Sequence, residues 1–221
     1  MLVSGGLDSA VLLVRLLRTG GRLLPVYLRC GCSWEAAELH WLHRLLGAVR
    51  SPRLAPLRVI EVPLRSTYGA HWSLTGRNVP GADSPDATVY LPGRNLLLLS
   101  HAGILCAQQG ISTIALGTLR GNPFGDATPR FFRQAAASLS LALGRSIRVR
   151  APLRRMTKPQ LIRATAHTPW RLTFSCLAPR GRRHCGRCNK CAERRRAFRD
   201  AGIADPTVYS RPHAALPKSY R

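Results

Sequence analysis

The sequence predicts an α/β fold: a doubly wound parallel sheet with a small cysteine knot at its C-terminal end. Three features point there. Short apolar runs alternate with amphipathic stretches, a glycine turn joins the first run to the first helix, and four cysteines cluster near the other end. Such alternation puts helices on both faces of a parallel sheet and ligands outside the carboxyl ends of its strands. At 221 residues and 45% hydrophobic, the chain can bury one sizeable core.

Residues 1–3 open the chain as an apolar strand, expected to be central yet shorter than the usual run of about five or six. A helix follows over residues 9–17. Residues 23–28 and 57–62 read as the next two strands, with an amphipathic helix over 34–46 between them. Residues 66–92, rich in Gly, Pro and Asp, are the loosest internal stretch. An apolar helix at 96–109 leads to a strand at 112–116, a helix at 129–143 and a strand at 147–149. A helix at 157–167 and a short Arg-rich helix at 192–201 complete the order, and the tail after Asp205 is loose. No run approaches the ~18 apolar residues of a membrane helix.

The turn between the first strand and helix reads Ser4-Gly5-Gly6-Leu7-Asp8-Ser9. Glycines let the backbone approach an anion closely. The amides of the first helical turn then face the phosphates, aided by the helix dipole. Val3 leads into this cradle, Ser4 and Ser9 add hydroxyls, the Gly5–Leu7 backbone forms its floor, and Asp8 is suited to the magnesium of a triphosphate. The plain alternative is a Gly-Gly turn with a Ser/Asp helix cap. The turn lacks the Gly-Lys-Ser/Thr ending of a Walker A loop. The segment after residue 116 leaves another strand end, so Gly117 through Asp126 is expected to face the nucleotide across the switch point.

Cys176, Cys185, Cys188 and Cys191 read C-x8-C-x2-C-x2-C. That spacing suits one tetrahedral zinc, structural because every corner is filled. Gly186 gives the turn freedom, and Arg182, Arg183 and Arg187 favour thiolates. Disulfides, a redox pair and an iron–sulfur cluster are the rivals. No signal-peptide pattern opens the sequence, so a reducing cytoplasm is expected and stable disulfides are not. The division that follows is a nucleotide-binding core, residues 1–170, with a zinc knot and basic segment, residues 171–221, packed on the same domain and capping its far end.

The SGGLDS turn resembles that of the PP-loop ATP pyrophosphatases, whose fold is of the adenine nucleotide α-hydrolase type. With the cysteine pattern, it is similar to the 7-cyano-7-deazaguanine synthase family over almost the whole chain. Pro92-Gly93-Arg94-Asn95, Ala151-Pro152-Leu153 with Met156-Thr157-Lys158, and the Ser175–Cys191 stretch continuing to Asp205-Pro206 agree in order and spacing. The resemblance implies ATP, magnesium and zinc, with a small-molecule carboxylate and ammonia as substrates. An acyl-adenylate would form, then an amide, then a nitrile. It implies phosphate or substrate contacts for Arg94 and Lys158 and a substrate or metal contact for Asp126, unless that acid simply caps the following helix, and it allows a homodimer. Two segments depart from the family. Its Tyr-Gly-Gln-like turn is replaced by Cys30-Gly31-Cys32-Ser33, with Trp34 and Glu38 beyond. Its substrate loop is replaced at residues 119–131, where Asp126, Pro129 and Phe131 align but the first acid, the Cys-Arg pair and the Glu do not. A paralogue acting on another carboxylate therefore stays open.

The formal net charge is +24, and only three of 34 basic residues are lysine. A basic face attracts nucleic acid, but few aromatics interleave with the arginines, and their excess over lysine reads as compositional bias. Nucleic acid is thus the less favoured partner. Thiolation or lysidine-type modification of tRNA is the second function considered, with Cys30, Cys32 and Cys106 as spare thiols. A non-catalytic nucleotide sensor is the third. His40, His43 and His71 match no ligand set.

Overall fold

In a computed structural model, residues 1–165 and 168–210 are described. In chain order the elements are α1 (Leu7–Arg18), β1 (Val26–Arg29), α2 (Glu35–Ala48), β2 (Arg58–Glu61), α3 (Arg65–Tyr68) and α4 (Trp72–Thr75). Then come α5 (Arg94–Gln108), β3 (Thr113–Ala115), α6 (Pro129–Leu143), β4 (Arg148–Arg150), α7 (Lys158–Arg163) and α8 (Asn189–Ala201).

β1 pairs in parallel with β2, and β3 in parallel with β4. Residues 1–3 join the two pairs. Val26 N donates to Met1 O and Val3 N to Val26 O on one side, while Leu2 N donates to Ala115 O on the other. Three residues thus serve as the central strand, and the chain leaves it towards β1 on one side and reaches β3 on the other. That is the switch point of a doubly wound sheet.

Alternate strand residues face opposite layers, as the pleat requires. Ala115 packs with α1, α2, α7 and α8 through Leu12, Leu42, Leu161 and Phe198. Ile114 packs with α5 and α6 through Leu99 and Phe132. The first core cluster runs from Met1 to Ala201, so α8 shares its interior with the opening residues.

Several expectations shift. The 157–167 helix ends at Arg163, and its residues 166–167 lie outside the described residues, as does the tail from 211 to 221. Thr157 caps α7 by a reciprocal box with Gln160. The expected loose stretch contains α3, α4 and a 3-10 turn at Asp86–Val89. His71 is a cap there, its ring nitrogen accepting from Ser73 N. The helix expected over 192–201 starts earlier, at Asn189. No described helix is long and apolar enough to cross a membrane.

Candidate active site

Gly5 takes φ +76°, a left-handed conformation that favours glycine, and a Cβ there would lie 3.4 Å from Leu42 Cβ. Gly6 precedes α1 and no side chain caps that helix, which leaves the first-turn amides for an incoming anion. Ser4 Oγ accepts from Gly6 N at 3.3 Å and lies 3.3 Å from Ser9 Oγ, so the hydroxyls lean across the turn. Phe174, fully buried, donates its amide to Gly5 O at 2.8 Å. The turn is therefore held from both ends of the chain.

A cavity of about 470 Å³ opens outside the strand ends at this turn. Val3, Ser4, Asp8 and Ser9 form one wall, with Gly5, Gly6 and Leu7 behind it; the Leu7 side chain belongs to the core. Gly117 faces them so closely that a Cβ would sit 3.1 Å from the Asp8 carbonyl. Arg94, Asp126 and Lys158 also border the cavity.

Lys158 Nζ lies 3.6 Å from Asp8 Oδ2 and pairs with Glu193. Burial alone would lower the Lys158 pKa, but these two carboxylates outweigh it and hold it above the ordinary value. Asp8 goes the other way: burial raises its carboxyl and Lys158 offsets only part. Asp8 Oδ1 is buried without a partner among the described residues. A carboxylate with one orphaned oxygen beside an uncapped glycine turn fits a divalent cation.

Asp126 borders the cavity but does not cap the next helix; it fastens two segments together. Its Oδ2 accepts from Asn95 N at 2.9 Å and its carbonyl from Asn95 Nδ2 at 3.0 Å, fastening the start of α5 to the 119–131 loop. Thr128 caps α6 instead, accepting from Phe131 N.

Glu38 escaped the sequence reading as a cavity residue. It is buried, accepts from Tyr27 Oη at 2.6 Å, and burial lifts its pKa to about 7. Arg94 lies near enough to pull that value back, and its Nε has no partner among the described residues. Glu35 closes the strand-end turn by accepting from the amides of Cys30 and Gly31. Two acids spaced i, i+3 just past a strand end were the available signal. Cys30 and Cys32 are buried, and burial raises both thiols, Cys32 to about 12.

The four knot cysteines are buried, with all sulfurs within 4.8 Å of one another. Cys176–Cys188 and Cys185–Cys191 are each 3.9 Å apart, close to the roughly 3.8 Å expected for thiolates around a tetrahedral ion with ~2.3 Å bonds. Amides of Leu177, Cys185 and Arg187 donate to these sulfurs, the environment of metal-held thiolates. The set fits a metal ion.

The knot does not cap a far end. It carries α8, whose Lys190 and Glu193 border the cavity. Asn189 anchors it by donating to Ser84 O and Asp86 Oδ1. Buried Arg194 donates to Trp170 O and the Thr173 and Thr207 hydroxyls.

The sequence matches the family model for queuosine biosynthesis protein QueC over residues 1–202. A 7-cyano-7-deazaguanine synthase of Anaeromyxobacter sp. (strain Fw109-5) is 33% identical, covering 95% of this chain and 94% of its own. Those of Methanothrix thermoacetophila and Thiobacillus denitrificans are 33% and 34% identical, over 94% and 96% of this chain and 96% and 97% of theirs.

Proposed function

The chain belongs to the queuosine biosynthesis protein QueC family, and on that premise we propose that it converts 7-carboxy-7-deazaguanine and ammonia to 7-cyano-7-deazaguanine using ATP. The observation that carries this reading is the uncapped glycine turn, with Asp8 and Lys158 paired at its edge inside the cavity.

In this reading the turn of residues 4–9 binds the outer phosphates and leaves the α-phosphorus exposed. The substrate carboxylate attacks that phosphorus, the α–β bridge breaks, and pyrophosphate leaves. Ammonia adds to the acyl-adenylate, loses a proton and expels AMP, giving an amide. The amide oxygen then attacks the α-phosphorus of a second ATP, a second pyrophosphate leaves, and loss of AMP and both amide protons leaves the nitrile. No protein nucleophile is needed, because the work is charge neutralisation and positioning. Magnesium at Asp8 would neutralise phosphate charge. Zinc in the knot would be structural. Lys158 faces the phosphates, Arg94 the substrate end beside Glu38, and Asp126 holds the loop over the site through Asn95. The setting is cytoplasmic and the assembly a homodimer.

The buried, high-pKa thiols of Cys30 and Cys32 argue against the thiolation alternative, which needs an accessible thiolate. The decisive experiment incubates the protein with ATP, magnesium, ammonium and 7-carboxy-7-deazaguanine and follows nucleotide and base products. AMP, pyrophosphate and the nitrile are expected. ADP as the sole nucleotide product, or no turnover, overturns the reading.

A further inference from the structure

Lys190 belongs to the metal knot by sequence, lying between Cys188 and Cys191, yet it borders the nucleotide cavity. Its Nζ lies 2.7 Å from Glu193 Oε2, while the other Glu193 oxygen pairs with Lys158, which in turn reaches Asp8. We propose that Lys190 is a second phosphate-binding lysine of this site and that Glu193 is the positioning residue holding both lysines ready. The inference rests on the reading that the cavity takes ATP.

The charges explain why. Two ammoniums and two carboxylates balance while Asp8 faces Lys158. Once Asp8 serves a divalent cation, Glu193 alone must neutralise both lysines. One carboxylate cannot do so, and the positive surplus then lies at the cavity wall where phosphate oxygens would arrive. The lysine stem is flexible enough to transfer its ammonium from Glu193 to a phosphate without moving α8. Lys190 and Glu193 are only 27% and 21% exposed, so the charges act with less screening than on an open surface.

A purely structural role predicts something else. An i, i+3 pair on a helix adds only slightly to helix stability and leaves nucleotide affinity untouched. Calorimetry on the metal-loaded full chain with magnesium and an α,β-methylene analogue of ATP, which cannot release pyrophosphate, separates the two. Lys190→Ala is expected to weaken binding about tenfold or more with its metal content unchanged, and Lys190→Arg to restore most of it. Glu193→Gln removes the competing carboxylate, so binding should tighten a few-fold while kcat falls because the lysines lose their orientation. Wild-type affinity in metal-replete Lys190→Ala overturns the proposal. Should that variant shed its metal, unchanged affinity in Glu193→Gln overturns it instead. Failure of the wild type to bind the analogue defeats the ATP reading itself; binding by wild type and Lys190→Ala alike defeats only this inference.

Discussion

Gly117 lies against the Asp8 peptide so tightly that a methyl group on its Cα would sit 3.1 Å from the Asp8 carbonyl carbon and oxygen and 3.2 Å from Ser9 N. The obstacle is backbone at the start of α1, which cannot rotate aside as a flexible side chain would. Gly117→Ala should therefore displace the phosphate turn, weakening ATP binding at least about tenfold while costing only about 1–3 kcal/mol of stability. Titration with nucleotide and urea denaturation of the same preparation check both halves.

Asp8→Asn should separate activity from stability. Desolvation raises the half-buried Asp8 carboxyl and Lys158 offsets only part of it, so a neutral isostere costs the fold little. Magnesium-dependent AMP formation should fall roughly a hundredfold or more, while the melting temperature stays level or rises. A matched fall in both would mark Asp8 as a structural residue.

Stripping metal from the knot should reach the cavity. Chelation, or Cys188→Ser, removes the ion that fixes the start of α8, and with it Lys190 and Glu193. One metal ion per chain should be released, with a lower melting temperature and weaker nucleotide binding. Elemental analysis with calorimetry tests this; full affinity in the stripped protein would contradict it.

Two cavity acids should give opposite pH dependences. Burial raises Glu38 from 4.5 to about 7, so its contribution is complete below pH 4.5 and lost as pH rises through 7. For Glu193, burial alone would raise the pKa, but Lys158 and Lys190 outweigh it and bring it from 4.5 to about 2. Its contribution is complete above pH 4.5 and lost as pH falls towards 2. Relative to wild type, Glu38→Gln should gain on the order of 2–3 kcal/mol between about pH 5 and 8. Glu193→Gln should be the less stable protein above pH 4.5 and converge with wild type in strong acid. Urea midpoints across pH that differ by a constant from wild type would refute both.

What the sequence made legible was what local chemistry encodes. Ser4 through Ser9 and the cysteine spacing announce themselves because a tight anion turn and a tetrahedral knot each need fixed residues at short separation. Lys158 was legible only through family likeness. Glu38 was legible only as half of an i, i+3 acid pair past a strand end, and Lys190 looked like one more charge in a basic run, since the roles of both arise from tertiary placement. Asp126 was visible as an acid, but its partner Asn95 is far away in sequence, so its employment as a fastener could not be read. The three-residue central strand was anticipated from sequence, and its hydrogen bonds to β1 and β3 show how so short a segment holds that place.

The bond from the Phe174 amide to the Gly5 carbonyl gives this molecule an order of completion. Gly5 precedes Phe174 in the chain, so the ribosome delivers the glycine turn well before the clasp that locks it. A nascent chain lacking that clasp would present an unfinished turn to the ATP around it. The turn is thus completed only with the segment that also brings the thiol cluster following Phe174.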